Sequence, residues 1–200
     1  MDIYGQMADL SEDIINSNLI HKVPQTFLIS NKENGNLDLK DGKLCLIDIK
    51  KKVNFLSITQ LDLTNNKLLT IPSYIFQFTN LIKLVLDKNI ITIIPPNVGE
   101  FTFLKHFSIN NNNIFYLPNE INNISNTLEQ LDISLNKIRF LNLEIGELTK
   151  IKKLYSHSNR FIALPTSIYK MINLEELSLD WFKYTIPERP TLAKDPLIVK

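Results

Sequence analysis

Residues 58–72 read Ile-Thr-Gln-Leu-Asp-Leu-Thr-Asn-Asn-Lys-Leu-Leu-Thr-Ile-Pro, and residues 81–95 read Leu-Ile-Lys-Leu-Val-Leu-Asp-Lys-Asn-Ile-Ile-Thr-Ile-Ile-Pro. The two stretches have apolar residues, an asparagine and a proline at the same positions. Successive copies are 23 residues apart, except for one step of 24 between Phe107 and Leu131. The remaining copies open with the apolar residues Leu104, Leu128, Ile151 and, for a partial copy, Leu174. A degenerate first copy over 37–47 extends the array, so we predict repeats over residues 37–180.

Each copy contains a Leu-x-Leu segment in which apolar and polar residues alternate. In an extended chain Leu61 and Leu63 point to one side, and Asp62 points to the other. One 23-residue unit cannot bury its apolar row alone, but stacked units bury the rows of their neighbours. We therefore predict an α/β solenoid in which about seven parallel strands place their polar residues on one common face.

An asparagine follows the predicted strand in every complete copy. A buried carboxamide at this turn can satisfy backbone groups that the turn leaves unpaired. These predicted structural asparagines are Asn66, Asn89, Asn112, Asn136 and Asn159. We assign no role to the neighbouring Asn111 and Asn113. Ser156 occupies a position that is Leu or Ile in the other copies, which predicts local underpacking of the fifth repeat.

The pattern Leu-x-x-Leu-x-Leu-x-x-Asn-x-Leu resembles that of the leucine-rich repeat family. The 23-residue length and the following Leu/Ile-Pro-x-x-Ile resemble its intracellular branch of Ras-suppressor-like and scaffold-type proteins. The resemblance implies a right-handed horseshoe with a parallel sheet on its concave side. Short 3₁₀ or helical segments are expected on the convex side, because proline opens the return segment in four copies. The resemblance also implies a non-catalytic protein-interaction module.

The two ends depart from the repeat. Residues 1–36 place apolar residues at helical spacing from Ile3 to Ile14, followed by a turn-rich connector. We interpret this segment as a capping helix, with a partner-docking amphipathic helix as the alternative. Residues 181–200 begin with Trp181 and Phe182, which we interpret as a lid over the last strand or as an exposed recognition patch. Three prolines in this tail predict irregular structure, so 181–200 is expected to be a C-terminal cap and tail.

Composition argues against several classes of partner. The 22 basic and 21 acidic residues give a net charge of +1, whereas nucleic-acid binding favours a basic surface. No apolar run approaches the ~20 residues of a membrane span, and the acidic N-terminus does not resemble a signal peptide. The single cysteine cannot form an internal disulfide. We expect a soluble cytoplasmic protein that binds neither nucleic acid nor membranes.

The sequence also lacks the motifs that are typical of catalytic sites. Only 5 glycines are present, and no phosphate-binding motif occurs. His106 and His157 fall two predicted strands apart, at roughly 12 Å, too far to bind one metal ion together. We therefore expect no catalytic residue, metal, cofactor or small-molecule substrate, and no enzymatic activity.

The concave face is the predicted partner-binding surface. Aromatic and charged residues gather toward its C-terminal end, a composition typical of interaction hot spots: Lys153, Tyr155, His157, Asp180 and Trp181. Asp38 and Asp62 are like charges on neighbouring strands, which a basic partner would relieve. The remaining candidates on this face are Asp87, His106 and Asp132. The leading hypothesis is a scaffold or regulatory subunit. The alternatives are a structural component of a cytoskeletal or organellar assembly and the recognition domain of a longer enzyme.

Overall fold

The structure, a computed structural model, describes residues 36–38, 56, 58–180 and 198–199. These residues form one parallel sheet in which the strands follow each other in chain order. Its strands are β1 (Asn36–Asp38), β2 (Gln60–Asp62), β3 (Lys83–Val85), β4 (His106–Ser108), β5 (Gln130–Asp132), β6 (Lys153–Tyr155), β7 (Glu176–Ser178) and β8 (Ile198–Val199). The predicted α/β solenoid is confirmed.

Strand register follows the sequence repeat. Leu61 pairs with Leu84, Leu84 with Phe107, and Phe107 with Leu131, so equivalent positions stack. The central residue of each strand from β2 to β7 is buried, and the residues on either side are more exposed. The period-two alternation therefore divides the sheet into an apolar inner face and a polar concave face.

The sheet has eight strands in the described residues, whereas the sequence predicts about seven. The additional strand, β8, pairs in parallel with β7 through Ile198 and Val199. It belongs to the segment for which the prolines predict irregular structure. Pro196 precedes this strand, so the proline removes no N–H from the ladder inside it.

In the part of the chain between 58 and 180, five short 3₁₀ helices run along the side opposite the sheet. They span Ser73–Gln77, Pro96–Glu100, Asn119–Ile124, Leu143–Glu147 and Thr166–Lys170. Pro72 shows how the first of these helices begins. Its backbone is extended, and its carbonyl accepts the N–H of Ile75 at 3.0 Å. Because each 3₁₀ helix turns one or two apolar residues inward, the core lies between these helices and the sheet.

The turns after β2, β3, β4, β5 and β6 have one residue each at the same repeat position in the left-handed backbone conformation. Asn111 has φ 54°, and the equivalent residues Asn65, Lys88, Leu135 and Ser158 also have positive φ. Asparagine tolerates this conformation better than most residues with a Cβ atom. Asn111 therefore has a backbone role that the sequence analysis did not assign.

Several sequence-based expectations fall outside the described residues. They are the N-terminal capping or docking helix within 1–35 and the lid formed by Trp181 and Phe182. Among the described residues, no helix has the length and apolar character needed to cross a membrane.

Candidate functional site

The concave face is built from alternate residues of β2 to β7 and from the residue two positions after each strand. The structure brings Lys153 and Tyr155 together on β6, with His157 in the turn that follows. Asp132 lies on β5 directly beside Tyr155 in register. His106 lies farther along the sheet on β4, where it pairs with Lys83 and Gln130. The candidates therefore form an extended surface with its aromatic residue near the C-terminal end.

Tyr155 is held in place by the neighbouring strand. Its hydroxyl donates a hydrogen bond to Oε2 of Glu176 at 2.9 Å, and Lys153 Nζ lies 3.5 Å from the same oxygen. Partial burial, together with the adjacent Glu176 carboxylate, raises the pKa of the Tyr155 hydroxyl above its usual range. The phenol therefore stays neutral and remains a hydrogen-bond donor at ordinary pH.

His157 and Asp180 have partners across the β6–β7 boundary. Nδ1 of His157 lies 3.0 Å from the Ser178 hydroxyl. Oδ2 of Asp180 accepts the backbone N–H of Ser158 at 2.7 Å. Asp180 thus stabilises the turn that carries His157. Trp181, the remaining candidate of this cluster, lies outside the described residues.

Asp87 is the centre of a second group of hydrogen bonds. Its Oδ1 accepts the hydroxyl of Ser108 at 2.6 Å and the backbone N–H of Asn110 at 2.9 Å. Burial raises the pKa of the Asp87 carboxyl, the hydrogen bonds from Ser108 and Asn110 oppose that shift, and the charges of Asp132 and Asp62 add to it. Asp87 joins two neighbouring repeats as well as contributing charge to the face.

The other acidic candidates bind their own turns. Asp62 Oδ1 accepts both the backbone N–H and the hydroxyl of Thr64, at 3.0 and 2.6 Å. Asp132 accepts the equivalent groups of Ser134. Asp38 lies in register with Asp62 on the next strand. The carboxylates of Asp62 and Asp132 are therefore oriented by local hydrogen bonds.

Sequence reasoning missed the role of Glu176. Glu176 is not among the candidate residues, although it contacts both Tyr155 and Lys153 on the neighbouring strand. The available signal was an acidic residue one strand away from a lysine at the same repeat position, because opposite charges in register attract. Ser108 was missed in the same way, beside Asp87.

We call the five structural asparagines the Asn ladder, and four of them, Asn89, Asn112, Asn136 and Asn159, connect their copy to the one before it. Asn112 is typical: its Nδ2 donates to the carbonyls of Ile109 in its own copy and Leu86 in the preceding copy, and its Oδ1 accepts the N–H of Ile91. Asn89, Asn136 and Asn159 make the same kind of contacts. These four side chains are buried, and Asn66 is half-buried at the first complete turn.

The part of the chain that the structure describes has no cluster of three or more His, Cys, Asp or Glu side chains able to hold a metal ion. What the concave face offers is an array of oriented polar groups and one anchored aromatic ring. Such an array suits recognition of a shaped polar surface.

Comparison with known proteins places the fold in a class. No protein-family model matches the chain, and no curated protein matches it. The leucine-rich-repeat ectodomain of the plant membrane receptor kinase GASSHO1/SCHENGEN3 from Arabidopsis thaliana, solved in complex with CASPARIAN STRIP INTEGRITY FACTOR 2, is similar at 30% identity with a TM-score of 0.54. The similarity covers 61% of this chain and 16% of the ectodomain. A leucine-rich-repeat protein of Leptospira interrogans is similar at 20% identity over 90% of this chain and 65% of that one, with a TM-score of 0.47.

The repeats, the stacked parallel strands and this similarity define the fold of the chain as a leucine-rich-repeat solenoid. Folds of this class serve as protein-interaction modules in general.

Proposed function

We propose that the chain is a non-catalytic interaction module, a scaffold or regulatory subunit, that binds a protein partner on its concave face. The observation that supports this most is the Lys153–Tyr155–Glu176 group, in which three side chains from two adjacent strands are held by hydrogen-bond and ionic contacts. Side chains that are already ordered lose less conformational entropy on binding. An anchored tyrosine is also among the residues that most often dominate interface energies.

His157 extends this group by one position along the same segment of chain. Its contact with Ser178 fixes the imidazole on the side where Tyr155 also faces outward. Asp132 adds a carboxylate on the neighbouring strand. The surface therefore combines a cation, an aromatic ring and anions within about two strand spacings, roughly 10 Å. Mixed charge of this kind fits a protein surface better than a uniform phosphate backbone.

We also propose a branch of the repeat family and a cellular location for the chain. The 23-residue spacing supports the Ras-suppressor-like, scaffold-type branch of the repeat proteins, and the single cysteine supports a cytoplasmic location. The complex formed by the plant receptor ectodomain supports partner binding by a related fold. We propose no cofactor, metal or small-molecule substrate.

The test is a double variant, Tyr155→Ala/His157→Ala, used as bait in a quantitative pull-down. Both side chains are only half-buried, so the variant is expected to keep its fold by circular dichroism and to lose the principal partner. Truncation of a true hot-spot residue costs about 2 kcal/mol of binding free energy.

The matched control is Lys170→Ala, at the end of a 3₁₀ helix opposite the sheet. Its salt bridge to Glu147 is exposed, and removal is expected to change little. Retention of the partner by the double variant, with loss in variants of the helical side, would reject the concave-face proposal. It would favour the structural-assembly hypothesis instead.

A further inference from the structure

A second surface lies beside the sheet, between the turn that follows each strand and the 3₁₀ helix of the same copy. Counted from the apolar residue that opens each copy, its residues occupy positions ten, twelve and thirteen. Four apolar side chains here in the last three complete copies are exposed between 47% and 59%: Phe115, Tyr116, Phe140 and Ile162. We call this surface the side face, and we include in it Lys137, Arg139 and Arg160.

The fold does not require large apolar residues at these positions. At the same positions other copies hold the small or polar residues Thr70, Thr92 and Ala163, and also the exposed apolar residues Leu69, Ile90 and Ile93. The core is completed by the residues on either side, as Ile114 and Leu117 show by being buried next to exposed Phe115 and Tyr116. Exposed aromatic rings that the packing does not use are typical of interaction surfaces.

The side-face residues of neighbouring copies form one continuous surface. Lys137 Nζ lies 5.9 Å from the centre of the Phe115 ring, which connects the third and fourth complete copies. The backbone N–H of Ile162 donates to the carbonyl of Arg139 at 3.1 Å, which connects the fourth and fifth. Tyr116 and Phe140 therefore occupy the same position in neighbouring copies, about one strand spacing or roughly 5 Å apart, and Arg139 lies between Phe115 and Ile162.

The charge of the side face identifies the kind of partner. Three cations lie there, Lys137, Arg139 and Arg160. Over all five complete copies, positions ten, twelve and thirteen hold one further cation, Lys67, and no acidic residue. In the described part of the chain, none of these three cations forms an ion pair, whereas Lys105, Lys152 and Lys153 each pair with a glutamate. A chain with a net charge of only +1 thus concentrates unpaired positive charge around exposed apolar rings.

We propose that the side face binds an acidic, apolar peptide segment of a protein partner, in which Asp or Glu alternates with Phe or Leu. The apolar side chains of the segment would cover Phe115, Phe140 and Ile162, and its carboxylates would meet Arg139 and Arg160. Arginine suits this contact because its guanidinium binds carboxylates with two parallel hydrogen bonds. Nucleic acid fits less well, because so few cations neutralise few phosphates.

The experiment measures fluorescence anisotropy with the full chain and a short fluorescein-labelled peptide that alternates Asp and Phe. Two matched peptides, alternating Lys with Phe and Asp with Ser, separate the charge and apolar contributions. We expect the Asp–Phe peptide to bind and both matched peptides to bind at least about tenfold more weakly, a change equal to about 1.4 kcal/mol.

Variants then locate the site. Phe140→Ala and Arg139→Glu/Arg160→Glu are each expected to weaken the binding of the Asp–Phe peptide at least tenfold. The charge-reversed variant is expected to gain affinity for the Lys–Phe peptide. The concave-face variant Tyr155→Ala/His157→Ala is expected to bind the Asp–Phe peptide normally, which makes this test independent of the proposed concave-face function.

Four results would overturn the proposal. They are equal binding of the matched peptides, no effect of the side-face variants, tighter binding of single-stranded oligonucleotide or phosphatidylserine vesicles at the same residues, and binding seen only after Asp9→Asn/Glu12→Gln/Asp13→Asn. The last result would mean that the acidic N-terminal segment of this chain occupies the side face.

Discussion

The hydroxyl of Ser108 donates a 2.6 Å hydrogen bond to Oδ1 of Asp87, a half-buried carboxylate one strand away. The same oxygen accepts the backbone N–H of Asn110. Burial nevertheless raises the pKa of Asp87, so these hydrogen bonds do not fully offset the loss of hydration. The ionised carboxylate binds two neighbours and still destabilises the fold relative to its protonated form.

Asp87→Asn is expected to be more stable than the wild type at pH 7, with the difference shrinking in acid. Because the pKa of Asp87 is raised on folding, its favourable contribution is present at low pH and lost as the pH rises through the folded-state value. Asparagine keeps the acceptor oxygen and cannot ionise. Urea unfolding at pH 7 and at a pH below the ordinary Asp value tests this. Asp87→Ala is the control, expected to be destabilised at both pH values because Ser108 and Asn110 lose their acceptor.

Asn136→Ala is expected to reduce the free energy of unfolding by about 1–3 kcal/mol. The substitution removes the partners of the Ile109 and Ile133 carbonyls and of the Ile114 N–H, in a buried turn. Chemical denaturation measures the loss. Asn113→Ala, half-buried and outside the Asn ladder, is the control and is expected within about 0.5 kcal/mol of wild type. Equal losses at Asn136 and Asn113 would contradict the structural role of the ladder.

Leu135→Asn is expected to stabilise the protein by about 1 kcal/mol. Leu135 has φ 54° and is 45% exposed, and the equivalent residues Asn65 and Asn111 show that asparagine fits this turn. The reason is relief of steric strain around the Cβ atom in left-handed backbone. Thermal and urea melts measure the gain. Leu143→Asn removes an exposed leucine from a 3₁₀ helix without positive φ, so an equal gain there would point to surface polarity as the cause.

Ser156→Leu is expected to stabilise the protein by about 1 kcal/mol or more through additional buried apolar area. Ser156 is fully buried, and its hydroxyl donates to the Ser178 carbonyl, which already accepts the Ser156 N–H. Losing the hydroxyl therefore leaves no backbone group unpaired. Ser134→Ala is the contrasting variant: it is also fully buried, and its hydroxyl links Asn110 to Asp132. A stability loss in Ser156→Leu, measured by urea unfolding, would show that the site cannot accept the added volume.

Much of the architecture follows from the sequence because two periods act together. Alternation along Gln60-Leu61-Asp62 determines which side chains face inward, and the 23-residue repeat determines which residues stack. The register of β2 to β7 is the one that these periods require. Strand β8 could not be predicted, because its two residues have no copy elsewhere in the chain.

The side-chain contacts of the candidate site could not be predicted from the sequence. Whether Tyr155 points at Glu176 depends on side-chain rotamers, which a linear pattern does not specify. The left-handed conformation of the turns could not be predicted for a different reason. Its position holds residues as dissimilar as Lys88, Leu135 and Ser158, so backbone hydrogen bonds between copies rather than local preference impose the conformation.

The Asn ladder gives the array a direction. The carboxamides of Asn89, Asn112, Asn136 and Asn159 complete hydrogen bonds in the copy that precedes each of them, as Asn136 does for Ile109 and Ile114. On the ribosome the N-terminal copies emerge first. The turn of the most recently emerged copy lacks its hydrogen bonds to the next asparagine until the following copy has left the exit tunnel. We therefore expect the last copy outside the ribosome to have one incomplete turn, so that folding follows synthesis with a delay of one repeat.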